Sequence, residues 1–237
     1  MDTIVVSLSL AWALIWRADA ELLHIVGLSL RVSGTACLLG ALVGLAFGAW
    51  LAVARFRGQG AVVWLLNTLL ALPSVVVGLL VYLMLSRAGP LGSLGILFTP
   101  SAMVIAQSIL VVPLIAALTR RLVLNALRDG GDQLHSMGAG PLTTAGLLLV
   151  HDRMGVLTVM LTAFGRAVAE VGAVMMVGGN IDGLTRVMTT AIALETSKGD
   201  LALALALGFV LLVVVGAVNL VVAAVQGMTA IEREALA

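Results

Sequence analysis

The chain has 237 residues, of which 61% are hydrophobic and only 11% are charged. A soluble domain of this size lacks the polar residues needed to cover its surface, so the composition predicts an all-α polytopic membrane protein surrounded by membrane lipid. The formal net charge of +1 argues against electrostatic binding of nucleic acid.

The N-terminal part contains the apolar run IVVSLSLAWALIW, which is shorter than the roughly 20 residues that a membrane crossing requires. We expect residues 1–30 to form an interfacial segment, with Trp12 and Trp16 at the level of the lipid headgroups. Residues 31–225 are then the expected transmembrane domain, and residues 226–237 are the expected cytoplasmic tail.

Five later runs are apolar enough to cross a membrane, and they cover residues 32–53, 62–85, 102–118, 155–177 and 201–225. Pro73 and Pro113 lie inside the second and third runs and are expected to kink them.

Glycines in the first run, Gly40, Gly44 and Gly48, recur every four residues and therefore share one helix face. The absence of side chains on that face is expected to let a second helix approach closely.

Arginine and lysine are distributed unequally between the two sides of the predicted bundle, seven on one side and four on the other. The first side collects Arg55, Arg57, Arg120, Arg121, Arg128, Arg153 and Arg233, and the second collects Arg17, Arg87, Arg186 and Lys198. Because cytoplasmic loops carry the excess of basic residues, segment 119–154 is predicted to be cytoplasmic. Five spans then place the N-terminus outside and the C-terminus inside.

The segment 128–153 differs from the rest of the chain because it combines acidic residues with glycines and a proline. Asp132 suits a helix N-terminus, so a short helix over 132–137 is expected, ended by Gly138 and Gly140. Pro141 suits the first turn of a second short helix over 142–150. The pattern fits either a surface loop or a stiff elbow that contacts a partner.

This segment resembles the cytoplasmic loop of permease subunits of ATP-binding-cassette (ABC) importers. That loop has the pattern E-A-A, three residues, G, nine residues and I-x-L-P. Here aspartate replaces the glutamate and histidine replaces the proline, while the spacing is kept. The positions that match the pattern or form the elbow are Asp132, Gln133, Leu134, Gly138, Ala139, Gly140, Pro141, Val150 and His151.

The resemblance implies that segment 128–153 contains a coupling helix that docks on a separate ATPase subunit. The sequence is consistent with ATP binding on a separate subunit, because it contains no G-x-x-x-x-G-K-[ST] nucleotide-binding motif. Its single lysine, Lys198, precedes Gly199. We therefore expect the chain not to be an enzyme and to bind no cofactor or metal, with ATP and Mg²⁺ used by the partner ATPase.

Residues 163–200, AFGRAVAEVGAVMMVGGNIDGLTRVMTTAIALETSKGD, are similar to the corresponding region of oxyanion permeases, and in particular to the tungstate branch. The likeness runs over most of the chain from about Arg31 onward. It implies the fold of type I ABC importer permeases, about five transmembrane helices, and a homodimer in the bacterial cytoplasmic membrane. It also implies two copies of an ATPase and a periplasmic or extracellular tungstate-binding protein.

Two opposite charges, Arg166 and Glu170, lie inside the apolar run 155–177 and are four residues apart, so they are expected to pair on one helix face. The pair is either structural or part of a gate near the dimer axis. Since an anion beside the path repels a dianionic oxyanion, Glu170 is not expected to bind substrate. The predicted gate residues are Arg166, Glu170, Gly172, Met175 and Met176.

The loop 178–200 is expected outside the membrane, with a break at 178–180 and a short hydroxyl-rich helix over 185–196. Hydroxyls, backbone N–H groups and one or two cations suit the passage of a tetrahedral dianion, although a helix that merely plugs the exit fits the same pattern. The predicted translocation-path residues are Asn180, Thr185, Arg186, Thr189 and Thr190.

These observations favour the permease subunit of an ATP-driven tungstate importer that works by alternating access. A molybdate or sulfate permease is the alternative within the same class. An ion-coupled secondary transporter is the alternative from another class, and it requires internal repeats or mid-span carboxylates that bind the coupling ion. Glu170 is the one mid-span carboxylate, and no internal repeat is evident in the sequence.

Overall fold

The structure is a computed structural model that describes residues 20–136 and 138–235, together with a few isolated residues before position 20. Within these ranges every regular element is helical, which confirms the predicted all-α class. The helices are α1 (Ala20–Val53), α2 (Gln59–Leu70), α3 (Ser74–Leu85), α4 (Pro100–Ser136), α5 (Pro141–His151), α6 (Arg153–Val168), α7 (Gly172–Gly178), α8 (Met188–Lys198) and α9 (Leu201–Ala235).

Three of these helices, α1, α4 and α9, are long and apolar enough to cross a membrane by themselves. Two further crossings arise if each bent pair, α2 with α3 and α5 with α6, counts as one span. The described residues thus supply between three and five spans, in keeping with the polytopic protein expected from the sequence.

Pro73 lies in the break between α2 and α3, because its ring fixes φ and it has no N–H to donate to the preceding turn. It lies at φ −63° and ψ 124°, immediately before Ser74 at the start of α3. The axes of α2 and α3 differ by 95°. The kink predicted in the run 62–85 is therefore present as a full break.

The helix α4 is longer than the sequence indicated. It passes through Pro113 without ending and continues to Ser136, so the separate short helix expected to start at Asp132 is wrong. Residues 132–136 are the last residues of α4, and Met137 lies outside the described residues. The side chains of Asp132 and Gln133 also fall outside the description.

Packing explains why α4 continues through Gly130 and Gly131. Each glycine lowers the stability of a helix by about 1 kcal/mol relative to alanine. Val123 on α4 is buried against Ala49, Ala52 and Leu148, and further apolar side chains on the last turns of α4 pack against this cluster. Burial of this amphipathic face outweighs the weak local propensity.

The run 155–177, expected as one span, is broken. The helix α6 ends at Val168 and α7 begins only at Gly172, so residues 169–171 form an irregular link. The single-helix prediction for this run is therefore wrong. At its other end α6 is joined to α5 with a bend of 79°.

The predicted break at 178–180 is confirmed. Gly179 lies at φ +69° and Asn180 at φ +51°, and this left-handed region is open to glycine and, more readily than to most residues, to asparagine. The short helix that follows covers Met188–Lys198, so it begins three residues later and ends two residues later than the expected 185–196.

The described chain forms two compact units. The first contains Met1–Ala36, Pro73–Gln107 and Gly165–Ala217, and it holds the charged pair and the loop after α7. The second contains Cys37–Leu72, Ser108–Phe164 and Val218–Ala237, and it holds the predicted coupling segment.

In the second unit, the glycine face of α1 lies directly against α4, as the sequence predicted. A Cβ added to Gly44 meets Ile115 Cβ at 2.8 Å, and one added to Gly48 meets the backbone of Ala116. Since real Cβ atoms do not approach so closely, only glycine permits this helix contact.

Candidate functional site in the broken helix

The link between α6 and α7 is organised by the carboxylate of Glu170. Arg166 Nη1 donates to Glu170 Oε2 at 2.8 Å, so the predicted pair forms, although Glu170 lies just beyond the end of α6. Ala173 N donates to Glu170 Oε1 at 3.3 Å, and the Ser74 hydroxyl also bonds to this carboxylate. Glu170 thus satisfies a backbone donor at the start of α7 while it neutralises the arginine.

Two buried side chains from distant elements bind the backbone of the same link. Gln107 Nε2 on α4 donates to Ala167 O at 2.9 Å, and Thr189 Oγ1 on α8 donates to Glu170 O at 2.8 Å. These bonds replace the helical bonds that the break removes. The sequence did not single out Gln107 or Ser74, but an amide inside an apolar span is a signal that was available.

The helices α3 and α7 pack against each other through residues that have little or no side chain. A Cβ added to Gly172 meets Val75 Cγ2 at 2.6 Å, and one added to Gly78 meets Ala173 Cα at 2.7 Å. Gly172 thus permits a close contact with α3 of the same chain, and its role at a gate stays a prediction.

The two predicted gate methionines have different surroundings. Met176 packs beside Gly78, where its Cβ lies 3.0 Å from an added glycine Cβ, whereas Met175 is 40% exposed. A role for either in a gate stays a prediction.

The predicted path threonines are buried and bonded to the chain itself. Thr185 Oγ1 donates to Gly178 O at 2.6 Å and accepts from Ile181 N at 2.9 Å. Thr190 Oγ1 exchanges two bonds of 3.1 Å with the backbone of Val187. In this conformation these hydroxyls stabilise the loop and the start of α8, and their contact with an oxyanion stays a prediction.

Like the path threonines, Asn180 and Arg186 are bonded to other groups of the same chain. Asn180 Nδ2 donates to Thr190 O at 3.3 Å. Arg186 pairs with Glu21 at 3.3 Å and with Asp182 at 3.2 Å, and its side chain is only 11% exposed. Two carboxylates thus surround one guanidinium, which makes this position a poor attractor for an anion.

In the other unit, the glycines of the predicted elbow lie between α4 and α5. Gly138 lies at φ +79°, and Gly140 precedes Pro141, which occupies the first turn of α5. Ala139 N donates to Leu134 O at 3.1 Å, which closes the C-terminal turn of α4.

The helix α5 is buried on one face and exposed on the other. Ala145 and Leu148 are buried against Ala49, Ala52 and Val123. Leu142 is 70% exposed and Val150 is 75% exposed, and His151 at the end of the helix is exposed as well. A helix whose buried face fixes it to the core and whose other face is apolar and uncovered is suited to contact a partner.

No family model matches the chain. The permease of the inward-facing MetNI methionine ABC transporter has the same fold, with a TM-score of 0.65 at 16% identity over 90% of this chain and 98% of that chain. The chain therefore has the fold of an ABC transporter permease.

Sequence relatives identify the family more closely. The chain is 40% identical over 226 residues to the tungstate uptake system permease protein TupB of Peptoclostridium acidaminophilum, covering 95% of this chain and 99% of the relative. It is 41% identical over 204 residues to a probable anion ABC transporter permease of Haloferax volcanii, covering 84% and 88%. The molybdenum transport permease ModB of Azotobacter vinelandii is 30% identical over 70% of this chain and 77% of the relative. The chain belongs to the family of ABC oxyanion permeases that includes this tungstate uptake protein.

Proposed function

We propose that this chain forms the membrane path of an ATP-driven importer that moves tungstate across the cytoplasmic membrane by alternating access. The observation that carries the substrate assignment is the 40% identity over 95% of the chain to a tungstate uptake permease. The more distant molybdenum permease supports molybdate as the second candidate substrate.

The ATPase partner is proposed to dock on the uncovered face of α5. Leu142, Leu147 and Val150 expose apolar surface there, while Thr144 and Leu148 anchor the opposite face. A short helix fixed by its buried face transmits a rigid-body displacement, which is what an ATPase that closes on ATP supplies. ATP and Mg²⁺ are then bound by that partner, in two copies.

The remaining parts of the assembly follow from the same proposal. Two copies of this chain form the path, a tungstate-binding protein delivers substrate from outside, and α5 faces the cytoplasm with the N-terminus outside. The excess of basic residues around α5, including Arg128 and Arg153, supports this orientation.

One experiment separates this proposal from an ion-coupled secondary transporter. The tagged chain is purified from its native membrane, and tungstate entry is measured in cells whose ATP and ion gradients are depleted separately. The proposal predicts co-purification of an ATPase subunit, with tungstate entry that stops when ATP is removed. Purification without an ATPase, together with entry that follows the ion gradient, would contradict it.

A further inference from the structure

The two members of the charged pair differ in their access to solvent. The side chain of Arg166 is 55% exposed, whereas that of Glu170 is 5% exposed. The carboxylate is enclosed by its bonds to Arg166 Nη1, Ala173 N and Ser74, so the group that reaches the surface is the cation. The pair therefore presents a positive end outward and a negative end inward.

This exposed cation lies far from the other charges along its run. Twelve uncharged residues, about 18 Å of helix, separate Arg166 from Arg153, and the residues between Glu170 and Asp182 are also uncharged. A half-exposed guanidinium in contact with acyl chains costs at least about 2.5–3.5 kcal/mol. The exposed side of Arg166 therefore faces water or protein rather than lipid.

We propose that Arg166 lines the water-filled path and makes direct contact with the tetrahedral oxyanion as it passes. This inference rests on the proposed oxyanion permease function and names a contact residue for it. One N–H group bonds Glu170, and the described residues supply no other hydrogen-bond partner to this guanidinium. Its remaining donors match two oxygens of a tetrahedral dianion in the bidentate geometry that arginine prefers.

Glu170 is the positioning residue in this arrangement. Its bonds to Ala173 N and Ser74 hold the carboxylate in place, so it fixes the arginine without moving toward the path. Because the carboxylate also offsets the positive charge, an oxyanion is bound weakly enough to leave again, as passage requires. Contact between Arg166 and the oxyanion does not require the translocation-path residues predicted in and after the loop that follows α7.

The test uses a charge that can be removed and restored at one position. The single cysteine, Cys37, is 3% exposed and is replaced by alanine, and Arg166→Cys is introduced into that background. Cells with this variant are treated with aminoethyl methanethiosulfonate, which adds an ammonium group, or with the sulfonatoethyl reagent, which adds a negative charge. Ala163→Cys, whose side chain is 0% exposed, is the control for a buried position on the same helix.

Arg166→Cys is expected to lower tungstate uptake by about tenfold or more, since a charge-assisted contact is lost. The ammonium reagent is expected to restore a substantial part of this uptake, and the sulfonate reagent is expected to restore none. Restoration by both reagents or by neither, or undiminished uptake by the untreated variant, would overturn the proposal.

A second variant guards against a purely structural effect. Arg166→Met with Glu170→Gln removes both charges and leaves no unpaired carboxylate. We expect this permease to assemble with its ATPase and support ATP hydrolysis, while tungstate uptake stays at the level of Arg166→Cys. Uptake at the wild-type rate would exclude Arg166 as a contact residue and would leave the permease function intact. Absence of uptake by the wild-type chain would instead reject the proposed function itself.

Discussion

The Gln107 side chain donates a hydrogen bond of 2.9 Å to the backbone carbonyl of Ala167, 60 residues away. The acceptor lies in the last turn of α6, where the break deprives it of the regular helical donor, and Glu170 N bonds the same oxygen at 3.1 Å. Gln107 is 3% exposed, so this bond is shielded from water. It ties α4 to the point where the helix stops.

Replacement of Gln107 by leucine is expected to destabilise the purified permease, because Ala167 loses a buried donor without gaining another. The expected loss is about 1–2 kcal/mol, seen as a lower thermal unfolding midpoint in detergent. Thr119→Val is the matched control, since Thr119 is 0% exposed and its hydroxyl has no hydrogen-bond partner among the described residues. Equal losses in the two variants would contradict a specific role for Gln107.

Gly78→Ala is expected to force α3 and α7 apart, because the new Cβ would lie 2.7 Å from Ala173 Cα. Overpacking of this kind costs about 1–3 kcal/mol, which a thermal unfolding scan detects. Gly34→Ala on α1 provides the control, as an added Cβ there meets nothing within 4 Å. Alanine favours a helix over glycine, so this control should be neutral or slightly stabilising. A stable Gly78→Ala protein would mean that the helices do not pack as described.

The elbow before α5 offers a similar comparison between neighbouring glycines. Gly138 lies at φ +79°, whereas Gly140 lies at φ −70°, and neither has an atom near an added Cβ. Gly138→Val is therefore expected to strain the backbone by about 1–2 kcal/mol or to displace α5, and Gly140→Ala is not.

Tungstate uptake and the yield of co-purified ATPase measure the consequence of this strain. The Gly138 variant should lose most of both, and the Gly140 variant should keep them. Unchanged uptake and ATPase yield with Gly138→Val would remove the elbow from the coupling mechanism.

Val150→Glu tests the docking face of α5. The side chain is 75% exposed, so the fold should tolerate the change, but a carboxylate in an apolar contact with the ATPase is costly. We expect the yield of co-purified ATPase to fall severalfold while the amount of permease in the membrane is unchanged. Val150→Ile keeps the apolar surface and should bind normally. If both variants retain the ATPase, another surface docks it.

The break between α6 and α7 could not be predicted from local sequence. The last residues before it, Ala167 and Val168, are neither proline nor glycine, and the four-residue spacing of Arg166 and Glu170 fits a continuous helix. The stabilising groups come from Gln107 and Thr189, which are 60 and 19 residues from their acceptors. Sequence periodicity reports only the preferences of residues that are close in the chain. The break is instead stabilised by Gln107 and Thr189, which only the tertiary structure brings close to it.

By contrast, breaks with a local cause were predictable. Pro73 and the pair Gly178–Gly179 interrupt helices through their own backbone restrictions, at the positions where the sequence predicted a kink and a break. The pairing of Arg166 with Glu170 was predictable for the same reason, because four-residue spacing is a local property. Their unequal exposure was not, since it depends on Ser74 and Ala173 from the neighbouring segments.

The central claim is tested most directly by counting metal inside cells. Cells that lack this chain, with and without the chain restored, receive equal low concentrations of tungstate and molybdate, and intracellular tungsten and molybdenum are measured by elemental analysis. A tungstate permease predicts restored tungsten entry that depends on ATP and resists excess sulfate. Intracellular tungsten and molybdenum that are the same with and without the chain would contradict it.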